Sequence, residues 1–287
     1  MTAVVALLFD GLAYGGLLFL IGVGLAVTLG LMNFVHLAHG VFAMAGGYLA
    51  VTLTRDLGWS FYAALPIVFI VIGAAGALME RLLYRHFFSA SALDQTLLCI
   101  GLMLMCMALT NFFFGPQQQA VILPESLRGT WDSESFSISR YRVFVLAMVA
   151  GVVGCLVFLI EKTRFGARVR ASVDSRMAAQ GSGINVSLVF TLCFALGTGL
   201  AGLGGAMATE LLGLDPAFPL KFMVYFLLVT VIGGAGSIRG PLVAALLLGV
   251  CDVAGKYYVP QVSAFSIYFM MVLLLTLFPA GLGGIKK

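Results

Sequence analysis

The sequence predicts an all-α polytopic membrane protein. It reads as one domain, residues 1–287, with about eight or nine membrane segments, some of them discontinuous or re-entrant. Three observations predict this. Hydrophobic residues make up 61% of the chain and charged residues 10%, whereas a soluble domain runs at roughly 45–50% apolar and about 25% charged. Mean hydropathy is +1.09. Long apolar runs recur along the chain, separated by short polar, Gly- or Pro-bearing breaks.

The breaks give the segments in order. The first spans 10–31 and the second, short one 39–54, ending at Arg55-Asp56. The third spans 61–84 and the fourth 93–114. A polar loop, 115–142, follows with Pro116, Gln117 to Gln119 and Asp132 to Ser135. The fifth segment is 143–160, then comes the most charged stretch, 161–185, and the sixth segment is 186–212. A turn with Pro216 and Pro219 leads to the seventh, 222–232, and a Gly-rich turn, 233–240, to the eighth, 241–254. The ninth is 264–278. The second is short for a bilayer about 30 Å thick at ~1.5 Å per residue, so it reads as a half-helix that meets its partner inside the membrane.

Basic residues set the orientation. Lys162, Arg164, Arg168, Arg170 and Arg176 fall in one loop, 161–185, which is expected to be cytoplasmic. Counting outward from it puts Arg81, Arg85, Arg239 and the Lys286-Lys287 tail on the same side, and the 115–142 loop outside. The external loop carries Arg128, Arg140 and Arg142, a mild departure from the rule. The N-terminal run, lacking Lys or Arg before Phe9, reads as a retained span rather than a cleaved leader.

Several functions are excluded by absent motifs. No GxxxxGK[ST] occurs: Gly255-Lys256 is followed by Tyr257 and has Val250 where the first Gly belongs, so the chain does not hydrolyse ATP by itself. The glycines of Gly234 to Gly240 do not have dinucleotide spacing, and no HExxH, GxSxG or Asn-Pro-Ala occurs. The chain is thus expected to be no enzyme. Its five cysteines lie in apolar runs without a CxxC pair, which predicts neither disulfides nor a metal.

Polar residues inside apolar runs are the candidate sites, because unsatisfied polar groups in hydrocarbon are costly. Asn33, His36, His39 and Gly40 form the densest such cluster, and Asn33, His36 and Gly40 fall near one face if the segment is helical. The cluster either hydrogen-bonds a helix break or lines a solute path. The turn with Gly233, Gly234 and Gly236 is a second interrupted segment, as expected of paired broken helices around a pathway. Asp252 and Glu210 lie near span ends, so an interfacial reading stands beside a functional one. The small-residue stripes Gly11/Gly15, Gly73/Ala77 and Gly197/Ala201/Gly205 read as seams for close helix packing. The 161–185 stretch reads as a short helix with a basic face, stopped by Gly181 and Gly183, which either anchors on anionic lipid or docks a partner.

Four ordered stretches carry a resemblance. Leu37-Ala38-His39-Gly40-Val41-Phe42-Ala43-Met44-Ala45-Gly46-Gly47-Tyr48 resembles "NxAHGxxxMxGAY" of the LivH-type permeases of bacterial branched-chain amino acid ABC importers. Glu80-Arg81-Leu82-Leu83-Tyr84-Arg85 is similar to "ERxxYRP", Thr163 to Asn185 to "TxxGRAxRA…AxxxGIN", and Gly233 to Pro241 to "GGxGSxxGAxxG". The resemblance implies a multi-pass inner-membrane permease that pairs with a second permease subunit and two cytoplasmic ATP-binding subunits, with a periplasmic solute-binding protein delivering the solute. ATP and Mg would bind the partners, and this chain would bind no cofactor. It also implies that Arg164, Gly166, Arg168, Arg170, Ala171, Ala178, Ala179, Gly181 and Gly183 form the coupling segment. The chain departs from the family at His36, usually Asn, at His86, usually Pro, and at Pro241, usually Ala. The first departure falls in the suspected pathway and leaves the solute open among branched-chain amino acids, urea, amides and organic acids. The rival reading is an ATP-independent channel or ion-coupled carrier for a small neutral solute.

Overall fold

In lipid a chain must satisfy its backbone internally, and helices do so despite glycines that would weaken them in water. The computed structural model follows that rule and describes residues 2–32, 36–88, 90–133, 136–234, 236–277 and 281–282. Helix α1 (Thr2–Met32) runs unbroken through Gly11, Gly15, Gly22 and Gly24. It begins before the expected Asp10 boundary, and the Asp10 carboxylate is paired with Arg142 at 2.5 Å. Helix α2 (His39–Val51) has 13 residues and continues as a π-helical turn, Thr52–Asp56. Gly58, with φ of 66°, turns the chain into α3 (Phe61–Met79). A second π turn (Glu80–Tyr84) and the one-turn α4 (Arg85–Phe87) prolong α3.

Helix α5 (Ala92–Phe114) starts at Ser91, whose hydroxyl accepts from Asp94 N–H at 3.2 Å. The loop expected over 115–142 holds an antiparallel hairpin, β1 (Thr130–Ser133) with β2 (Phe136–Ser139), in register Thr130↔Ser139. Helix α6 (Arg140–Lys162) leads into two short helices, α7 (Arg164–Asp174) and α8 (Arg176–Gly181). Helix α9 (Val186–Leu212) opens on Asn185, whose Oδ1 accepts from Leu188 N–H at 3.0 Å. Helix α10 (Phe218–Gly233) has Pro219 in its first turn, where no amide is needed. Helices α11 (Arg239–Tyr258) and α12 (Ser263–Leu277) complete the fold.

Among the described residues, six helices are long and apolar enough to cross a membrane, within Val4–Gly30, Phe61–Phe87, Ala92–Phe114, Arg140–Lys162, Val186–Leu212 and Arg239–Tyr258. The all-α polytopic architecture stands. The expected eight or nine segments are reached only by adding the shorter apolar helices α2, α10 and α12.

Helices α1, α2 and α3 surround α9, and glycine sets how closely they approach. A Cβ on Gly24 would lie 2.4 Å from Gly197 O, one on Gly46 2.3 Å from Gly202 O, and one on Gly205 1.9 Å from Ala43 O. The other side of α1 meets α11 the same way: a Cβ on Gly15 would lie 2.6 Å from Ala245 O, and one on Gly249 2.4 Å from Gly15 Cα. The stripes read from sequence are thus packing seams. Gly197 serves α1 and Gly205 serves α2, so α9 presents small residues in two directions.

The bundle has two distinct ends. The hairpin end gathers the N-termini of α1, α3 and α6, where Tyr62 Oη and Ser126 Oγ lie 2.9 Å apart. The α7–α8 end gathers the start of α11, where Arg239 pairs with Glu161 at 2.8 Å.

Candidate functional site

The polar cluster of the second segment is a re-entrant turn. Helix α1 reaches the α7–α8 end, and the chain comes back to start α2 at His39, beside the middle of α1. Helix α2 and the π turn that continues it, 13 and 5 residues, together cover about 26 Å, shorter than α1, and run from beside Ile21 toward the hairpin end. His39 is 2% exposed. Its Nε2 lies 2.9 Å from Ile21 O, and because a carbonyl only accepts, Nε2 carries the proton. His39 N–H also donates to His36 O at 3.0 Å, closing the turn.

His36 is fully buried. Its ring meets Tyr84 edge-on at 4.5 Å, Phe194 at 5.2 Å and Phe42 at 5.7 Å between centroids. His39 stands edge-on to it at 5.8 Å. This aromatic box joins α2, the π turn after α3, and α9. Gly40 sits against α10: a Cβ there would lie 3.0 Å from Pro219 Cα. Asn33 lies outside the described residues. His39 ties a helix break to α1, and His36 plugs the space between three helices.

The second interrupted segment is at a different height. Gly233 lets the α10–α11 turn close, for a Cβ there would lie 2.4 Å from Pro241 N. Gly234 and Gly236 have φ of 86° and 81°, a region glycine enters without strain. Gly236 N–H donates to Ala26 O at 3.0 Å. Both interrupted segments therefore lean on α1, one at Ile21 and one at Ala26, about 7.5 Å apart along the axis. The apolar cavities between α3, α6 and α9 are lined by neither of them.

Sequence reasoning missed a buried ionic triad. Glu80 is fully buried, and Arg85 reaches it with Nη2 to Oε2 at 3.1 Å and Nε to Oε1 at 3.3 Å. Thr191 Oγ1 donates to Glu80 Oε2 at 2.7 Å and accepts from Arg85 Nη2 at 3.0 Å, which clips α3 to α9. Glu80 and Arg85 are five residues apart, a spacing that no sequence rule marks. It suits a π turn and misaligns on an α-helix. Tyr84, delivered by the same turn, is a wall of the His36 box.

The 161–185 stretch is two helices rather than the single one expected. The break is Ser175, whose φ of −156° is extended and whose hydroxyl accepts from Ala178 N–H at 3.2 Å, capping α8. Thr163 caps α7 by accepting from Gly166 N–H at 3.2 Å. Gly166 permits the α6–α7 corner, since a Cβ there would lie 2.0 Å from Ile160 O. Arg170 donates to that same Ile160 carbonyl. Helix α8 ends in a Schellman motif: Ile184 N–H donates to Ala179 O and Gly183 N–H to Gln180 O, both at 3.0 Å, with Gly183 at φ of 80°. Ala179 is buried and Ala171 half-buried, while Arg164, Arg168, Ala178 and Gly181 are exposed. Arg176 lies over the Phe190 ring at 5.4 Å.

Of the other candidates, Asp252 is 1% exposed, pairs with Lys256 at 2.5 Å and has Tyr225 Oη at 3.5 Å. Glu210 is exposed near the hairpin end of α9.

Glycine-seamed helices, a short helix that starts beside Ile21 of α1, and a capped helix pair at one end define a polytopic helical membrane protein. The chain belongs to the family described as the branched-chain amino acid transport system permease component, which matches residues 7–278. It is 27% identical to the high-affinity branched-chain amino acid transport system permease protein LivH of Escherichia coli K12, over 96% of this chain and 94% of that one. It is 28% identical to the corresponding BraD protein of Pseudomonas aeruginosa, over 96% and 94%. Identity to LivM of Salmonella typhimurium is 26%, over 92% of this chain and 67% of that one. No solved structure matches the chain.

Proposed function

We propose that this chain is a membrane-spanning permease subunit of an ATP-binding-cassette importer. It passes a small organic solute, a branched-chain amino acid first among the candidates, from a periplasmic binding protein to the cytoplasm. The relatives are permeases of branched-chain amino acid transport, and both LivH and LivM types are among them. That supports a core of two paralogous permeases in an inner membrane, with two ATP-binding subunits holding ATP and Mg. In this reading α2, α10 and α12 also enter the membrane, giving nine segments, and the α7–α8 end faces the cytoplasm.

One observation carries the reading. The α7–α8 pair is fixed to the bundle by caps and carbonyl contacts, yet it exposes apolar side chains beside its arginines: Val173 is 42% and Met177 84% exposed. Apolar side chains held out at an aqueous end are what a soluble partner covers. The pair is also wired inward. Arg170 and Gly166 grip the end of α6, and Arg176 and Ile184 grip the start of α9, which carries Phe194 into the His36 box. ATP-driven displacement of α7–α8 moves α9 together with the helices seamed to it and carries the His36 box relative to α5 and α6, giving alternating access. Asn33, His36, His39 and Gly40 line the path, with Gly233, Gly234 and Gly236 as the second broken segment.

The test is uptake in proteoliposomes holding this chain, its paralogue, both ATPases and binding protein. ATP-dependent accumulation is expected, and Met177→Asp is expected to lower solute-stimulated ATPase activity at least tenfold while the subunits still fold. Uptake by this chain without ATPases would overturn the proposal.

A further inference from the structure

Helices α3 and α6 meet through aromatic rings at the hairpin end. There Phe61 faces Tyr141 and Phe144, each at 6.2 Å between centroids, and Tyr62 faces Phe144 at 5.7 Å. Tyr141 Oη donates to Met207 O at 2.6 Å, pinning this clasp to α9. Below it the two helices diverge over α9 and leave an apolar groove. One cavity of about 380 Å³ runs between Leu65 and Phe69 on one wall and Cys155 and Leu159 on the other. A second, of about 390 Å³, shares Phe69, Leu159 and Leu196 with it and continues past Ala74 to Phe165. The groove is thus closed at the hairpin end by aromatic rings and runs toward α7.

Cations follow the groove lining in sequence toward that lower end. Arg81 follows Ala74 by seven residues on the α3 wall, Lys162 follows Leu159 by three on the α6 wall, and Arg164 adjoins Phe165. All three are exposed, and among the described residues none of them makes an ion pair. The nearby acids are committed elsewhere, Glu80 to Arg85 and Glu161 to Arg239.

We propose that this groove holds the acyl chain of an anionic phospholipid from the leaflet at the α7–α8 end, with its phosphate on Arg81, Lys162 and Arg164. The basic collar matches a phosphate charge, and each such cation adds membrane attraction near the surface. The closed end selects a chain end over a helix. A transmembrane helix is about 10–12 Å wide and must leave the bilayer on both sides, which the aromatic clasp blocks.

Photo-crosslinking tests the assignment in the assembled transporter. Vesicles of phosphatidylethanolamine and phosphatidylglycerol carry a diazirine-tailed tracer of either phosphatidylglycerol or phosphatidylcholine, and adducts are mapped by mass spectrometry. Phosphatidylglycerol is expected to label Cys155, Leu159 and Leu196 at least fivefold more than phosphatidylcholine does. The exposed Phe112 and Phe113, 81% and 73% accessible, should be labelled equally by both. Arg81→Gln with Lys162→Gln should remove the preference, and Ala74→Trp should remove the groove adducts while leaving those at Phe112. Groove labelling no higher than at Phe112, equal labelling by the two tracers, or a benzophenone on Cys155 that crosslinks to another subunit would each overturn the proposal.

Discussion

Glu80 and Arg85 form a two-point ion pair across a single π turn, with distances of 3.1 and 3.3 Å, and the carboxylate is buried while the guanidinium reaches the surface. The asymmetry sets the cost of losing either partner. Arg85→Met strands a buried carboxylate with only Thr191 to serve it, an expected loss of about 3 kcal/mol. Glu80→Gln keeps an acceptor for Thr191 and leaves Arg85 to solvent, so it should cost less. Equilibrium unfolding of both variants reads the ordering, and a double mutant whose cost is the sum of the two would mean the pair is not coupled.

The two histidines of the re-entrant turn should separate by mutation. His39→Leu removes the bond to Ile21 O that pins the first turn of α2, with an expected loss of about 1–3 kcal/mol. His36→Ala removes a ring packed on Tyr84, Phe194 and Phe42, and the unfilled space should cost about 2–4 kcal/mol. His36→Phe keeps the volume and should cost under about 1.5 kcal/mol. If His36 also touches the solute, His36→Phe alters the solute profile in uptake at near-native stability. An unchanged profile would leave His36 a packing residue.

Glycines on seams and glycines facing open space should respond oppositely. Gly205→Ala drives a methyl into Ala43 O, so α2 and α9 must separate, and a loss of several kcal/mol or failed expression is expected. Gly101 and Gly151 have nothing within 4 Å. Alanine there should be neutral or add about 0.5–1 kcal/mol through helix propensity. Thermal unfolding of the three variants decides it.

At the α7–α8 end, Gly166→Ala should distort the α6–α7 corner, and Gly183→Ala should strain the Schellman turn by about 1–2 kcal/mol. Both are expected to lower coupled ATPase activity more than binding-protein affinity. A matching fall in both would place the defect outside the coupling segment.

Much of this was legible in the chain. Apolar runs place the helices because lipid leaves the backbone no alternative, and the bounds of α9 coincide with those read from hydropathy. The second segment was readable as a short helix from its length alone. Three features were not readable. The hairpin at 130–139 lacks a strong alternating pattern. The Ser175 break depends on a capping hydroxyl in a sequence that otherwise continues as helix. The Glu80–Arg85 pair depends on a π turn, which no residue preference announces. At the site, His36 and His39 were found from polarity, whereas Tyr84 and Phe194 are apolar enough to pass as ordinary lining until the fold brings them to the histidines.

The backbone seams at Gly24–Gly197 and Gly46–Gly202 bear on motion. Contacts made by main chain alone have no side-chain rotamers to freeze, so they hold helices together without an ordering cost in side-chain entropy. Helices α1, α2, α9 and α11 should therefore travel as one rigid block, with the slowest amide exchange in the chain. The compliance needed for a transport cycle then falls to the helices outside these seams, α5 and the lower half of α6.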